Sequence, residues 1–113
     1  MKEFSGRIAV VTGGGSGMGR ELVRQLVAEG CTVATCDVSA RGLAETERVI
    51  AATTKPQGVR LTSHLADVSN EADVLRFRDE VRAQHAADRI HLLFNNAGIS
   101  GGGSLVAVSR EQW

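Results

Sequence analysis

Apolar segments of strand length alternate along this chain with longer segments of helical period. Residues 7–12 (Arg-Ile-Ala-Val-Val-Thr) are mostly apolar and β-branched, as expected of a strand buried on both faces. Strand-like segments also cover residues 32–36, 59–66 and 90–94, and helical segments follow the first three strands. Because parallel strands need long crossover connections, this alternation predicts a parallel sheet covered by helices.

The helical segments carry their own start and stop signals. Gly30 stands where the first helix should end, and Ser39 and Ser69 are the predicted N-caps of the second and third helices. The side chains predicted to face the sheet are Met18, Leu22, Val23, Leu26, Val27, Leu43, Ile50, Ala51, Val74, Phe77 and Val81.

Composition excludes several classes of protein. The 13 basic residues balance the 13 acidic residues, which argues against binding to nucleic acid or to an anionic membrane surface. No apolar stretch approaches the length of a membrane span, and no signal-peptide core is present, so a cytoplasmic location is expected.

The reactive side chains are few. Cys31 and Cys36 lie too far apart on one extended segment to form a disulfide, and two buried thiols in a reducing compartment are expected. His64, His85 and His91 lack the spacing of metal ligands, so no metal site is predicted. The chain contains no tyrosine, which excludes any mechanism that needs a tyrosine acid within these residues.

The first glycine cluster, residues 13–19, joins a buried strand to the start of a helix. Free backbone N–H groups and the helix dipole make such a junction an anion-binding site. Neither G-x-G-x-x-G nor G-x-x-x-x-G-K-[ST] fits the cluster, whereas a longer Thr12-Gly13-x-x-x-Gly17-x-Gly19 loop does. This spacing is compatible with a pyrophosphate-binding loop or with a plain glycine-rich turn.

Asp37 favours the pyrophosphate interpretation. It ends the second strand-like segment 18 residues after Gly19, and a carboxylate roughly 20 residues beyond such a loop can accept both ribose hydroxyls of an adenosine. The alternative, that Asp37 is a helix N-cap, is weaker because Ser39 is better placed for capping. Together, the loop and the carboxylate predict an adenine dinucleotide site.

Four motifs together resemble those of the short-chain dehydrogenase/reductase family. Residues 12–19 are similar to its TGxxxGxG loop, and Asp37 matches its ribose-binding carboxylate. Asp67-Val68 resembles its adenine-binding dipeptide, and residues 95–98 (Asn-Asn-Ala-Gly) resemble its NNAG segment. The cofactor-binding residues that this resemblance implies are Gly13, Gly15, Ser16, Gly17, Met18, Gly19, Asp37, Val38, Asp67, Val68, Asn95, Asn96, Ala97 and Gly98.

The resemblance implies a fold, a cofactor and a reaction. The expected fold is a single Rossmann-type α/β domain over residues 1–113, an open parallel sheet of order 3-2-1-4 with helices on both faces. In this strand order, right-handed crossovers place the first two helices on one face of the sheet and the third on the other. The implied function is hydride transfer between NAD and a secondary alcohol or ketone, by a protein that is a homo-oligomer when full length. The resemblance also implies roles for single residues. Asp67 would hydrogen-bond the adenine amine and Val68 would meet the ring through its backbone, while Asn95 would tie neighbouring strands together and residues 96–98 would line the cofactor.

The sequence also departs from the family pattern. The family's catalytic Ser and Tyr-x-x-x-Lys lie beyond the NNAG segment, and none of them is matched in these 113 residues. Residues 109–112 (Ser-Arg-Glu-Gln) form a capping box that opens a helix of only four residues. A C-terminally truncated domain is therefore expected, with no catalytic residue of its own and with its fourth strand as an open edge.

Two other functions remain open at this point. The first is a catalytically inactive module that binds NAD or a partner protein. The second is a methyl-transfer Rossmann domain, which also places an acidic residue after its second strand.

Overall fold

A computed structural model of the chain describes residues 6–85, 92–96 and 106–108. Within these ranges the chain forms three helices and five strands. In chain order they are β1 (Ile8–Thr12), α1 (Gly17–Ala28), β2 (Thr32–Asp37), α2 (Ala40–Ala51), β3 (Leu61–Leu65), α3 (Glu71–His85), β4 (Leu92–Asn95) and β5 (Val106–Val108). The predicted capping box at residues 109–112 lies outside the described residues.

The strands form one sheet of order β3-β2-β1-β4-β5. Pairing is parallel from β3 through β4, which confirms the predicted order 3-2-1-4. β2 ends at Asp37, as expected. Other strand ends differ slightly from the expected ones, because β1 begins at Ile8, β3 covers only Leu61–Leu65, and β4 ends at Asn95.

The prediction that β4 is an open edge is wrong. β5 pairs with it in antiparallel direction, with Ala107 opposite Phe94. Residues 96–105 are too few for the crossover that a parallel partner would need, so the chain can return only in the opposite direction. A strand of three residues is too short to show a period in the sequence, and for this reason β5 was not predicted.

Each face of the sheet carries its own apolar core, as the right-handed crossovers predict. Successive residues of a strand point to opposite faces, so Ala9 and Val11 of β1 pack towards α1 and α2, whereas Val10 packs towards α3. The first core also contains Val23, Leu26, Val27, Cys31, Val33 and Ile50, and the second contains Ala34, Cys36, Ala66, Phe77, Val81 and Leu93.

Most helix signals are confirmed. Ser39 caps α2, since its Oγ accepts a hydrogen bond of 2.9 Å from the Gly42 N–H. Gly30 has a φ of 96° and follows α1 directly after its C-cap residue. At α3 the prediction is wrong by one residue, because the Asn70 Oδ1, and not Ser69, accepts from the backbone N–H of Asp73 at 3.0 Å.

Four predicted core side chains are not fully buried. Met18 is 50% exposed because it lies in the first turn of α1, beyond the edge of the core. Ala51, at the end of α2, is exposed, and Leu22 and Val74 are half-buried. The position that α2 buries instead is Thr46, which is fully buried between Leu43 and Ile50 along the same helix face.

The two cysteines are buried free thiols, as predicted. Burial raises the pKa of Cys31 to about 11 and that of Cys36 to about 12, so both remain protonated at neutral pH. No group of His, Cys, Asp or Glu side chains in the described part of the chain is arranged to hold a metal ion. None of the helices described is long and apolar enough to cross a membrane.

Two histidines connect β3 with α3 through a chain of polar contacts. His64 lies 2.8 Å from Glu80 through Nδ1 and 3.0 Å from the Thr62 hydroxyl through Nε2. The same hydroxyl lies 2.7 Å from Nε2 of His85, whose Nδ1 is 3.4 Å from the Arg60 guanidinium. Burial lowers the pKa of His85, and the nearby Arg60 and His64 lower it further.

Stability should therefore fall as the pH is lowered below the ordinary histidine value of 6.5. The unfolded chain binds a proton at His85 more readily than the folded chain does, so the free energy of unfolding decreases as the pH falls towards the lowered pKa of the folded state. Urea unfolding at pH 7.5 and pH 5.5 measures the effect. His85→Gln should show a smaller difference between the two pH values, and an equal difference in both proteins would contradict this origin.

Candidate functional site

The sheet register brings the predicted site residues to one edge. Thr12, the last residue of β1, is paired with Cys36 of β2 on one side and with Asn95 of β4 on the other. The backbone N–H groups of Gly13 and Gly14 both donate to the Cys36 carbonyl, at 2.8 and 3.1 Å. The glycine loop thus begins at the carboxyl ends of three adjacent strands, where open parallel sheets bind their ligands.

The glycines of the loop serve different purposes. Gly13 and Gly17 have φ angles of 76° and 54°, a left-handed conformation that glycine adopts without strain. A Cβ at Gly14 would lie 1.9 Å from the Thr35 hydroxyl, and one at Gly19 would lie 2.0 Å from the Gly13 carbonyl oxygen. Apart from its chain neighbours, none of the described residues lies within 4 Å of a Cβ at Gly17, so these residues leave the loop open on this side.

Asp37 holds the loop from the neighbouring strand. Its Oδ2 accepts a hydrogen bond of 2.9 Å from the Gly15 N–H, and its Oδ1 accepts one of 3.1 Å from the Ser39 N–H. The carboxylate is close enough that a Cβ at Gly15 would lie 2.7 Å from Oδ2. Each carboxylate oxygen has a second lone pair, so Asp37 can still accept hydrogen bonds from a ligand.

Asn95 and Asn96 connect β4 to β1 and its loop. The Thr12 hydroxyl donates to Oδ1 of Asn95 at 3.4 Å and accepts from the backbone N–H of Asn96 at 3.0 Å. The Asn96 side-chain amide donates to the Gly13 carbonyl at 3.2 Å. Ala97 and Gly98, the other predicted residues of this segment, lie outside the described residues.

The remaining predicted residues lie on exposed turns beyond β2 and β3. Asp67 accepts from both the N–H and the hydroxyl of Ser69, at 2.9 and 2.6 Å, and these hydrogen bonds lower its pKa. Val38 and Val68 are 68% and 36% exposed.

The sequence did not predict a second set of side chains, which hydrogen-bond the carbonyl groups of the loop. The Thr46 hydroxyl donates to the Gly14 carbonyl at 2.6 Å, and the Arg20 guanidinium donates to the Thr46 hydroxyl at 2.8 Å and also to the Gly15 carbonyl. One signal was available in the sequence, because Thr46 is a polar residue on the apolar face that Leu43 and Ile50 define. Nothing in the local pattern indicates Arg20.

Comparison with known proteins identifies the family of this chain. Residues 7–113 match the family described as short chain dehydrogenase. The chain belongs to this family. Its members are oxidoreductases, so family membership argues against the methyl-transfer alternative.

Three members of the short-chain dehydrogenase family illustrate the similarity. Levodione reductase of Leifsonia aquatica is 41% identical over 98 residues, which cover 87% of this chain and 35% of that protein. A family member from Burkholderia phymatum, solved in complex with NAD, has a TM-score of 0.74 at 38% identity and covers 91% of this chain and 34% of its own. A metagenomic oxidoreductase solved with NADP has a TM-score of 0.72 at 34% identity, with coverages of 89% and 43%.

The chain therefore spans less than half the length of each of these proteins. The part it does span includes the glycine loop and the carboxyl ends of β1, β2 and β4. Because the two complexes contain different dinucleotides, the family by itself does not choose between NAD and NADP.

Gly19→Ala should destabilise the chain more than Gly17→Asn does. The added methyl group at position 19 would meet the Gly13 carbonyl, which is backbone and cannot turn away, and overpacking of this kind typically costs about 1–3 kcal/mol. Position 17 is open, and asparagine tolerates the left-handed conformation found there. Chemical unfolding of both variants measures the difference, and equal losses would contradict the close approach at Gly19.

Proposed function

We propose that this chain is the NAD-binding part of an oxidoreductase that transfers hydride between NAD and a secondary alcohol or ketone. The observation that carries the proposal is the contact between Asp37 and Gly15. It places a carboxylate with spare lone pairs directly beside a glycine loop at the start of a helix. This combination suits the ribose and the pyrophosphate of an adenine dinucleotide.

The residues present fit such a cofactor. The first turn of α1 contains no acidic residue that would repel a phosphate. The open side at Gly17 leaves room for a ligand close to the backbone. Residues 13–19 would hold the pyrophosphate, Asp37 the adenosine ribose, and Val38, Asp67 and Val68 the adenine. When bound, the cofactor supplies the nicotinamide that exchanges hydride with the substrate.

The choice of NAD over NADP rests on the charge of Asp37. A 2′-phosphate about 4–5 Å from this carboxylate would be disfavoured by up to about 4 kcal/mol at an effective dielectric constant near 20. Position 16, within the loop, is serine and offers no positive charge to offset the repulsion. Arg41 is the basic residue nearest in sequence, and it is exposed in the first turn of α2.

Titration of the chain with NADH and NADPH should show clear preference for NADH. Asp37→Asn should reduce that preference, because an amide oxygen can still accept from the Gly15 N–H but no longer repels a phosphate. Asp79→Asn removes the same charge at an exposed position of α3 and should leave the preference unchanged. Equal affinity of the unaltered chain for the two cofactors would refute the assignment of NAD.

The second candidate, a catalytically inactive module, is favoured by one observation, the absence of tyrosine from the chain. Such a module would bind NAD or a partner protein, and under either proposal the chain has no tyrosine acid of its own for the substrate oxygen. The cytoplasmic location and the homo-oligomeric state remain predictions from the sequence.

The 113-residue chain should bind NADH without reducing ketones. Loss of general acid–base catalysis alone typically costs about 10²–10⁴-fold in rate, and loss of the substrate pocket removes the positioning contribution as well. The measurement is NADH oxidation in the presence of small ketones, with NADH binding determined on the same sample. Turnover at ordinary enzymatic rates would show that the required acid is among these residues.

A further inference from the structure

The carbonyl groups of the glycine loop are held by side chains of both flanking helices. Thr46 of α2 donates to the Gly14 carbonyl at 2.6 Å. Arg20 of α1 donates to the Gly15 carbonyl and, at 3.2 Å, to the Gly42 carbonyl of α2. We propose that Arg20 is a positioning residue of the cofactor site, which keeps the loop in the conformation that presents its N–H groups to a pyrophosphate. This inference rests on the proposed function.

Peptide geometry links the carbonyl contacts to the open side of the loop. In a trans peptide the C=O and the N–H point in opposite directions. The Gly14–Gly15 peptide is held at both ends, its carbonyl by Thr46 and its N–H by Asp37. In the next peptide the Gly15 carbonyl points to Arg20, so the Ser16 N–H points away from the guanidinium. Arg20 thereby sets the direction of a donor at the start of α1.

An arginine suits this place better than a lysine. Its planar guanidinium has donors in a fixed fork, and here it serves three acceptors at once, namely the Thr46 hydroxyl and the carbonyls of Gly15 and Gly42. A lysine would keep the positive charge but would lack the fixed planar arrangement of N–H donors.

Gly42 makes the arrangement possible. A Cβ at this position would lie 2.5 Å from the Gly15 carbonyl oxygen, so only glycine lets α2 approach the loop this closely. The sequence spacing of Gly42 and Thr46, four residues apart, puts both on the same face of α2. The loop is consequently held between α1 and α2 as well as by the sheet.

A purely structural role for Arg20 would be to tie α1 to α2. The two roles differ in what they do to ligands. Loosening of the whole carboxyl edge of the sheet would weaken the binding of every part of the cofactor equally. Adenosine affinity would then fall as well, since the proposed function places adenosine against Asp37 and the turns after β2 and β3. Misdirection of the loop N–H groups would lower the affinity only for ligands that carry the pyrophosphate.

The test compares Arg20→Met and Arg20→Lys with a matched control, Arg24→Met, one turn further along α1. Arg24 is paired with Glu21 at the surface and does not contact the loop. Dissociation constants are measured for NADH, ADP-ribose and adenosine by ligand-observed NMR, and thermal unfolding is recorded for each variant. Arg20→Lys preserves the charge and much of the bulk, so it serves as the reporter if Arg20→Met does not fold.

We expect both Arg20 variants to bind NADH and ADP-ribose about tenfold more weakly, the effect of losing hydrogen bonds to a buried backbone. Adenosine affinity should change by less than about twofold, and Arg24→Met should match the unaltered chain. Unchanged NADH affinity in the Arg20 variants, or an equal loss for adenosine, would overturn the inference and leave the proposed function standing. Failure of the unaltered chain to bind NADH or ADP-ribose would overturn the proposed function itself.

Discussion

The parallel pairing of β1 with β2 is the constraint on which the rest of the structure depends. It places Thr12 opposite Cys36, and the Cys36 carbonyl then accepts the N–H groups of Gly13 and Gly14. A shift of one residue would turn Val10 and Val11 to the wrong faces of the sheet, so the two apolar cores fix the register. The position of the glycine loop is therefore determined by hydrophobic packing between the sheet and its helices, and not by contacts of the loop itself.

At the carboxyl edge of the sheet, polar contacts hold the loop from three directions. Asp37 binds it from β2, Asn96 from β4, and Arg20 with Thr46 from the helices. These contacts are possible because the loop lacks side chains at the points of closest approach. Holding the loop before a ligand arrives reduces the ordering cost of binding, which is the usual benefit of a preorganised site.

The proposed division between cofactor binding and catalysis is consistent with the same architecture. Helix N-termini and strand ends supply backbone donors and a carboxylate, which suffice for a charged and hydroxylated cofactor. Proton transfer to a substrate oxygen needs an ionisable side chain at that oxygen. Cys31 and Cys36 do not meet this need, since both are buried within the core and their pKa values are raised to about 11 and about 12.

Much of the fold was predictable because it depends on local patterns. Several elements can be recognised from residues that are close together in the sequence. Examples are the β-branched strand of residues 8–12, the apolar stripe of α1 and the Ser39 cap. These signals located four strands and three helices along the chain. The strand order 3-2-1-4 came from the family resemblance, and the handedness of crossovers then assigned the three helices to their faces. The predicted position of Asp37 at the end of β2 has the same origin as the local signals, since the spacing from Gly19 reflects one helix and one strand.

The sequence by itself determined the alternation of strands and helices, the glycine spacing and the carboxylate that follows β2. Only the tertiary structure decided that β5 covers β4, that Met18 is exposed, and that Arg20 and Thr46 hold the loop. The physical reason is the sequence separation of the residues that interact. Periodicity and capping arise between residues a few positions apart, whereas the contact of Arg20 with Thr46 spans 26 positions and exists only once both helices have packed on the same face of the sheet.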